Sequence, residues 1–341
     1  MHMAWMTVKV AIFGASGFVG GELLRLCAAH PGLEPIRLFG DSQVGSSLEE
    51  VHPHLALAYP GAAFELYEEN ALEGIDLVFA ALPHGQSQML ARFIVERDIP
   101  FVDLGADFRL RDPAVYAHWY GEPHAAPDLL ERFVYGIPEL NREAIRASRC
   151  VAAAGCYPTA ALLALKPLRD AGLIDPASII VDAASGVSGA GKSAKEATHF
   201  NTVSESLSAY GLLDHRHTAE IEAGLGASLL FTPHLAPINR GILATCYATA
   251  TGPCDPLAVL RAAYADEPFV YVSERSPATK WTLGSNAVHI TARYDARTNR
   301  VLAIAALDNL GKGAAGQMVQ CANIMVGVEE TAGLSVCGVY P

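Results

Sequence analysis

Positive charge is scarce in this chain. Lysine and arginine number 24 against 36 aspartates and glutamates, a formal charge of −12, so an anionic ligand has to find local cations. That balance argues against nucleic acid or an anionic membrane surface as a partner. Charge of either sign is thin, at 18% against 51% hydrophobic residues and a mean hydropathy of +0.23, and this excludes a disordered chain. Long apolar runs are also missing. Uncharged stretches such as Cys150 to Leu165 and Gly224 to Asn239 are shorter than the roughly 20 residues of a membrane span, and these two contain prolines. The first residues lack a basic segment followed by an apolar one, so no secretory leader is expected and the cytoplasm is the expected location. There is no Cys-x-x-Cys pair. Seven cysteines, at 27, 150, 156, 246, 254, 321 and 337, fit a reducing compartment better than a disulfide or zinc framework.

At 341 residues the chain is about twice a typical domain. Val8 to Phe13 is a short apolar run rich in β-branched residues that stops at Gly14, and a helix over about 20–29 follows, closed by Pro31-Gly32. A strand is predicted near 36–39. Nearly continuous apolar runs at 75–81 and 101–104, separated by a helix over 87–96, have the pattern of parallel strands covered on both faces. The first 150 residues thus predict an α/β fold with a Rossmann-type doubly wound parallel sheet. Beyond 157 the pattern changes to a helix over 158–171 and strands at 179–184, 229–232, 241–249, 269–272, 286–294 and 301–308. Arg297-Thr298-Asn299-Arg300 reads as the hairpin turn before the last strand. This half predicts an α+β domain with a mixed or antiparallel sheet, and a closing helix over 314–326 is long enough to pack back on the first domain.

Directly after the first strand stands Gly14-Ala15-Ser16-Gly17-Phe18-Val19-Gly20, a G-x-x-G-x-x-G form of the dinucleotide fingerprint. Glycines there let the backbone approach a pyrophosphate, and the helix start supplies N–H groups. The plainer reading is a tight turn. The second strand ends at Gly40-Asp41, an acid placed to take the ribose hydroxyl of NAD and to repel the 2′-phosphate of NADP. Ser42, Ser46 and Ser47 follow and can donate to a phosphate, so these residues leave the cofactor open.

In Ala153-Ala154-Gly155-Cys156-Tyr157-Pro158-Thr159 an apolar segment breaks at Gly-Cys, and Pro158 fits the first turn of a helix. Cys156 is thereby placed at a helix N-terminus, where the dipole and free N–H groups favour a thiolate and can steady an oxyanion. For the other six cysteines the reading is a small hydrophobe. The base for such a thiol is sought in the run His215 to Glu222. Its His-x-His pair lacks a third ligand at a metal spacing, so acid/base work is expected and no metal.

Arg109, Lys192, Lys195 and Arg240 are the candidates for holding an anionic substrate, each with a solvated surface charge as its plainer reading. Gly186 to Ser193 satisfies the P-loop expression. It follows a strand deep in the second half without a magnesium-binding partner strand, so ATP is not expected.

Ten segments, in order, resemble the N-acetyl-γ-glutamyl-phosphate reductase family: 14–20, 81–85, 103–109, 135–141, 155–159, 185–192, 217–221, 240–242, 284–286 and 308–317. The resemblance spans essentially the whole chain. It implies NADPH-dependent reduction of an acyl phosphate, N-acetyl-γ-glutamyl phosphate, to N-acetylglutamate 5-semialdehyde in arginine biosynthesis, with release of phosphate. Cys156 would be the nucleophile that forms a thioester and His217 the acid/base group. The implied fold is glyceraldehyde-phosphate-dehydrogenase-like, with 1–155 and 312–341 binding the dinucleotide, 156–311 forming the catalytic domain, and a homo-oligomer (dimer or tetramer) as the assembly. The candidate NADP(H) set is Gly14, Ser16, Gly17, Phe18, Val19, Gly20, Ser42, Pro83, Ser185, Gly186 and Asn309, the last near the nicotinamide. Arg109, Lys192 and Arg240 form the substrate set.

Two departures stand out. Ala153-Ala154 replaces the Asn-Pro of many members, which leaves the nucleophile untouched. Asp41 and serines replace basic residues after the second strand, which sets the implied NADP preference against the local chemistry. The rivals are the related aspartate-semialdehyde dehydrogenases and an NADP-binding regulator without turnover, and a cysteine at a helix start argues against the second.

Overall fold

The computed structural model describes residues 7–341. The first elements are β1 (Val8–Phe13), α1 (Phe18–Ala29), β2 (Leu33–Phe39), α2 (Leu48–Val51), β3 (Leu77–Ala80), α3 (Ser87–Glu96), β4 (Phe101–Asp103), α4 (Pro113–Tyr120), β5 (Phe133–Gly136), α5 (Pro138–Arg146) and β6 (Cys150–Ala153). They are followed by α6 (Cys156–Asp170), β7 (Ile180–Gly186), α7 (Phe200–Val203), β8 (Ser208–Ala209), α8 (His217–Leu225), β9 (Leu230–Ala236), β10 (Ile242–Thr249), α9 (Pro256–Ala263), β11 (Val270–Val272), β12 (Val288–Asp295), β13 (Arg300–Leu307) and α10 (Gly316–Val326). Among the described residues no helix is long and apolar enough to cross a membrane.

Two compact units divide the chain. The first takes residues through Pro113, 123–154 and 314–334, and the second takes 114–122, 155–313 and 335–341. In the first, six strands form an all-parallel sheet in the order β2-β1-β3-β4-β6-β5. Period-two alternation along β1 sends Val8, Val10 and Ile12 into one core with Leu23 and Leu24 of α1 and Met318, Val319 and Ala322 of α10. Ala11 and Phe13 enter the opposite core with Leu90, Ala91 and Ile94 of α3. β2 runs longer than the sequence predicts and includes Pro35, which is tolerated because β2 is an edge strand. Sequence periodicity does not reveal β5, a four-residue edge strand.

The second unit holds a seven-stranded mixed sheet, β11-β12-β13-β10-β7-β9-β8. β7, β10, β13 and β12 are mutually antiparallel neighbours, while β11/β12 and β7/β9 are parallel. α6 and α9 pack against it. On the covered face the strands carry small buried residues such as Ala183, Ala244, Ala303 and Ala305, over which the apolar side of α6 lies. The hairpin turn stands at 296–299, where Asp295 accepts from Arg297 N and Thr298 Oγ1 and Asn299 adopts φ 51°. Residues 335–341, expected with the dinucleotide-binding part, instead join this unit: Asn286 N donates to Ser335 O at 2.8 Å and Val339 N to Leu283 O at 2.7 Å. Residues 114–122 likewise depart from the expected boundary.

Candidate functional site

In the first unit the β1–α1 turn lies where strand order reverses between β1 and β3, the place where open α/β sheets bind ligands. Gly14 has φ 75°, and a Cβ there would stand 2.4 Å from Ala81 O; one at Gly20 would stand 2.4 Å from Gly14 O. Only glycine fits either position. Gly17 N-caps α1 with no side-chain hydrogen bond to its first turn, whose amides have no partner inside the helix. Ser16 and Val19 are half-buried and Phe18 is exposed. A pyrophosphate fits this turn: close backbone approach, N–H donors and no acidic side chain in its seven residues. Pro83 lies exposed in the turn after β3.

Asp41 and Ser42 are both exposed after β2. Ser47 is committed elsewhere. It caps α2, its Oγ accepting from Glu50 N at 3.2 Å while Glu50 Oε2 accepts from Ser47 N at 3.0 Å.

Arg109 belongs to the same unit and donates to Leu104 O at 2.6 Å. Beside it Asp103 is wholly buried, with Oδ1 accepting from Ser87 Oγ at 2.7 Å and Gly105 N at 2.9 Å and Oδ2 without a hydrogen-bond partner. Burial pushes its carboxyl up to about 7, against the hydrogen bonds from Ser87 and Gly105. Asp107 caps the start of α3, accepting from Gly85 N and Ser87 N.

In the second unit Cys156 is the first residue of α6, with Gly155 as N-cap. Gly155 N donates to Glu220 Oε1 at 2.8 Å, and Glu220, 3% exposed, lies one turn beyond His217, the first residue of α8. The starts of the two helices are thus joined. The Tyr157 ring meets His217 edge-on at 5.9 Å and His215 at 5.7 Å, and His217 N donates to His215 Nδ1 at 3.2 Å. Burial holds His215 down to about 4, so its ring is neutral and able to accept. Tyr210 Oη donates to Tyr157 Oη, which donates to His234 O. Burial pushes both phenols up, Tyr210 to about 12. Behind Cys156, a Cβ at Gly313 would stand 2.8 Å from Cys156 Cβ.

The other thiols differ. Burial pushes Cys27 and Cys246 up to about 12 and Cys150 to about 11, as expected of packing residues. Cys156 is half-buried at a helix start.

Arg240 Nε donates to Asp308, itself wholly buried, at 3.0 Å. The same carboxylate accepts from Gly284 N, Leu310 N and Gly311 N. Asn309 uses both ends of its amide within this unit, accepting from Gly241 N at 2.8 Å and donating to Ser188 Oγ at 2.9 Å. Ser185 Oγ donates to Gly186 O, and a Cβ at Gly186 would stand 2.6 Å from Asn239 O. Lys192 and Lys195 are exposed, and no helix opens at Lys192, so the P-loop pattern lacks its helix. Among the described residues no group of three His, Cys, Asp or Glu side chains is placed to hold a metal.

Glu220, Asp308 and Asp103 were not singled out from sequence. Glu220 alone left a usable signal, its i+3 spacing from His217 on one helix face.

Two family models match the chain, a semialdehyde dehydrogenase NAD binding domain over residues 9–148 and a semialdehyde dehydrogenase dimerisation domain over 156–309. An N-acetyl-gamma-glutamyl-phosphate reductase of Desulforudis audaxviator is 47% identical, and one of Salinispora tropica 49%, each over 98% of this chain and 100% of the relative. Aspartate semialdehyde dehydrogenase II of Vibrio cholerae, complexed with ASA, superposes with a TM-score of 0.72 at 20% identity over 94% of this chain and 99% of that one. Aspartate semialdehyde dehydrogenase with NADP from Candida albicans does so with a TM-score of 0.69 at 14% identity over 93% and 98%.

Proposed function

Because the chain belongs to the N-acetyl-gamma-glutamyl-phosphate reductase family of semialdehyde dehydrogenases, we propose that it reduces N-acetyl-γ-glutamyl phosphate to N-acetylglutamate 5-semialdehyde, a step of arginine biosynthesis, with Cys156 as nucleophile. The observation that carries this reading is the position of Cys156, first in α6 and tied through Gly155 and Glu220 to the helix that His217 opens.

His217 takes the thiol proton, and the Cys156 sulfur attacks the acyl carbon. The acyl C–O bond breaks, and the same proton leaves with the phosphate. Amides of the first turn of α6 steady the oxyanion. NADPH held on the Gly14–Gly20 turn would supply the hydride that the thioester carbon accepts. The resulting alkoxide then collapses, the C–S bond breaks, and Cys156 leaves as thiolate with the aldehyde and takes a proton from solvent through His217, which restores the starting thiol. Arg240, oriented by Asp308, and Lys192 hold the anionic groups of the substrate in the second unit, and Arg109 is the candidate in the first.

The nucleotide sits on the turn formed by Gly14, Ser16, Gly17, Phe18, Val19 and Gly20, with Ser42 and Pro83 beside it. Ser185, Gly186 and Asn309 are the nucleotide-binding candidates carried by the second unit. NADP is the reading for the cofactor, supported by Ser42, against the charge of Asp41. Seven cysteines, none of them in a disulfide, support a cytoplasmic location. Self-association to a dimer or tetramer uses the free face of the seven-stranded sheet, where Thr245 and Tyr247 pair with Ile304 and Leu302 in a half-exposed patch. A monomer in sedimentation at assay concentration would overturn that assembly.

The test is NADPH formation from N-acetylglutamate 5-semialdehyde and phosphate, with wild type and Cys156→Ala in parallel and arms with NAD and with aspartate semialdehyde. Phosphate-dependent turnover by wild type alone is expected, and His217→Asn is expected to lose on the order of 10²–10⁴ in rate. Preference for aspartate semialdehyde, or turnover by Cys156→Ala, would sink the reading.

A further inference from the structure

We propose that His52 is a positioning residue for dinucleotide binding, holding the Gly14–Gly20 turn with its carbonyls drawn toward the protein and its amides presented to the phosphates. The inference rests on the reading that this turn binds the nucleotide. His52 is buried at 4% exposure just after α2, far along the chain from the turn. Its Nε2 lies 2.9 Å from Ala15 O. A carbonyl can only accept, so Nε2 carries the proton and donates.

The turn itself shows why this bond matters. A phosphate is repelled by carbonyl oxygens and attracted by N–H groups, so a turn that binds one has to direct its carbonyls elsewhere. Gly14 O is engaged by Gly17 N at 3.1 Å, within the turn. Ala15 O has its hydrogen from a side chain supplied by a separate segment, and the peptide that bears it leads straight into Ser16 and Gly17. Ala15 N in turn donates to Phe39 O, at the end of β2. Ala15 is therefore gripped from both sides, its N–H by the neighbouring strand and its carbonyl by His52.

A second, independent observation comes from α1. Gly21 lies inside that helix, where glycine costs about 1 kcal/mol relative to alanine. A Cβ at Gly21 would stand 2.8 Å from His52 Cε1 and 3.0 Å from Nδ1. The glycine makes room for the imidazole, which reaches Ala15 O through that space.

His52 is itself fixed in place. Its N donates to Leu48 O at 2.7 Å, Leu55 N donates to its carbonyl at 2.9 Å, and its ring meets Phe64 edge-on at 6.0 Å. Ser47, capping the same short helix, anchors the other end of the segment. The loop bearing Asp41 and Ser42 and the phosphate turn are in this way connected through one imidazole.

The experiment is fluorescence titration of NADPH on the full chain, with steady-state kinetics alongside. His52→Leu is expected to raise the NADPH dissociation constant about five- to tenfold, the equivalent of about 1–1.4 kcal/mol. Its kcat at saturating NADPH should stay within twofold of wild type. His52→Gln, which can offer an amide N–H to Ala15 O, should recover most of the affinity. Gly21→Ala provides a second route, displacing the ring while leaving His52 in the chain, and should weaken NADPH in the same way. A side chain with only a packing role would not show rescue by glutamine or an effect confined to affinity. Gly17→Asp is the control for the underlying reading: aspartate is a good helix N-cap, so the fold is kept while a negative charge is set against the phosphates. If Gly17→Asp binds NADPH as wild type does, the turn is not the nucleotide site. If Gly17→Asp loses NADPH while His52→Leu and Gly21→Ala bind it normally, the turn stands and the role of His52 is refuted.

Discussion

The amide of Gly155 donates to the buried carboxylate of Glu220 at 2.8 Å, across 65 residues of sequence. This bond fixes the N-cap of α6 relative to α8, and with it the distance from thiol to imidazole that any proton transfer between Cys156 and His217 requires.

Glu220→Ala should therefore cost about 1–3 kcal/mol in unfolding free energy, because the Gly155 N–H is left buried without its acceptor. Glu220→Gln retains an acceptor and should cost less. Urea denaturation of the three proteins measures the difference, and coincident midpoints would show that the bond contributes nothing.

Gly313→Ala should lower kcat by on the order of 10²-fold with little effect on NADPH affinity, since its methyl would stand 2.8 Å from Cys156 Cβ and push the nucleophile out of place. Single-turnover kinetics beside NADPH titration separates the two effects. Unchanged turnover would mean that the π-helical segment Gly311–Ala315 yields instead.

Asp103 makes the first unit sensitive to pH. Its carboxyl is held near 7 in the folded protein against an ordinary value of 3.8, so between those values the native state keeps a proton that the unfolded chain has released. Stability falls as pH rises through that window. Asp103→Asn stays neutral throughout and can still accept from Ser87 and Gly105. The variant should gain on wild type steadily from pH 4 to pH 7 in thermal melts, and parallel curves for the two proteins would refute the assignment.

What could be read from sequence was local. Gly14 and Gly20 announce a turn because no other residue fits there, and Pro158 with Gly155 announces the helix start that Cys156 occupies. The apolar runs at β1, β3 and β4 disclose a parallel sheet because strands covered on both faces carry few polar residues. The bonds that complete the site are not local: Arg240 meets Asp308 across 68 residues, and no periodicity encodes that pairing. Ser47 is an instructive miss. The Ser-x-x-Glu capping box it forms with Glu50 is a sequence signature, and it engages the hydroxyl that the sequence also offers to solvent or to a phosphate. Burial accounts for the rest, since the displaced carboxyl of Asp103 arises from packing around β4.

The path of the chain also sets an order of events during synthesis. The core that closes around Val10 and Ile12 of β1 includes Met318, Val319 and Ala322 of α10, near the far end of the chain. A nascent chain that has completed all six parallel strands still lacks one wall of that core, and must keep its apolar sheet face covered until residue 326 has left the ribosome. The seven-stranded unit draws its strands from the uninterrupted stretch 180–307 and can form its sheet earlier. Covering of the sheets here runs against the direction of translation: the sheet begun first is the sheet whose face is closed last.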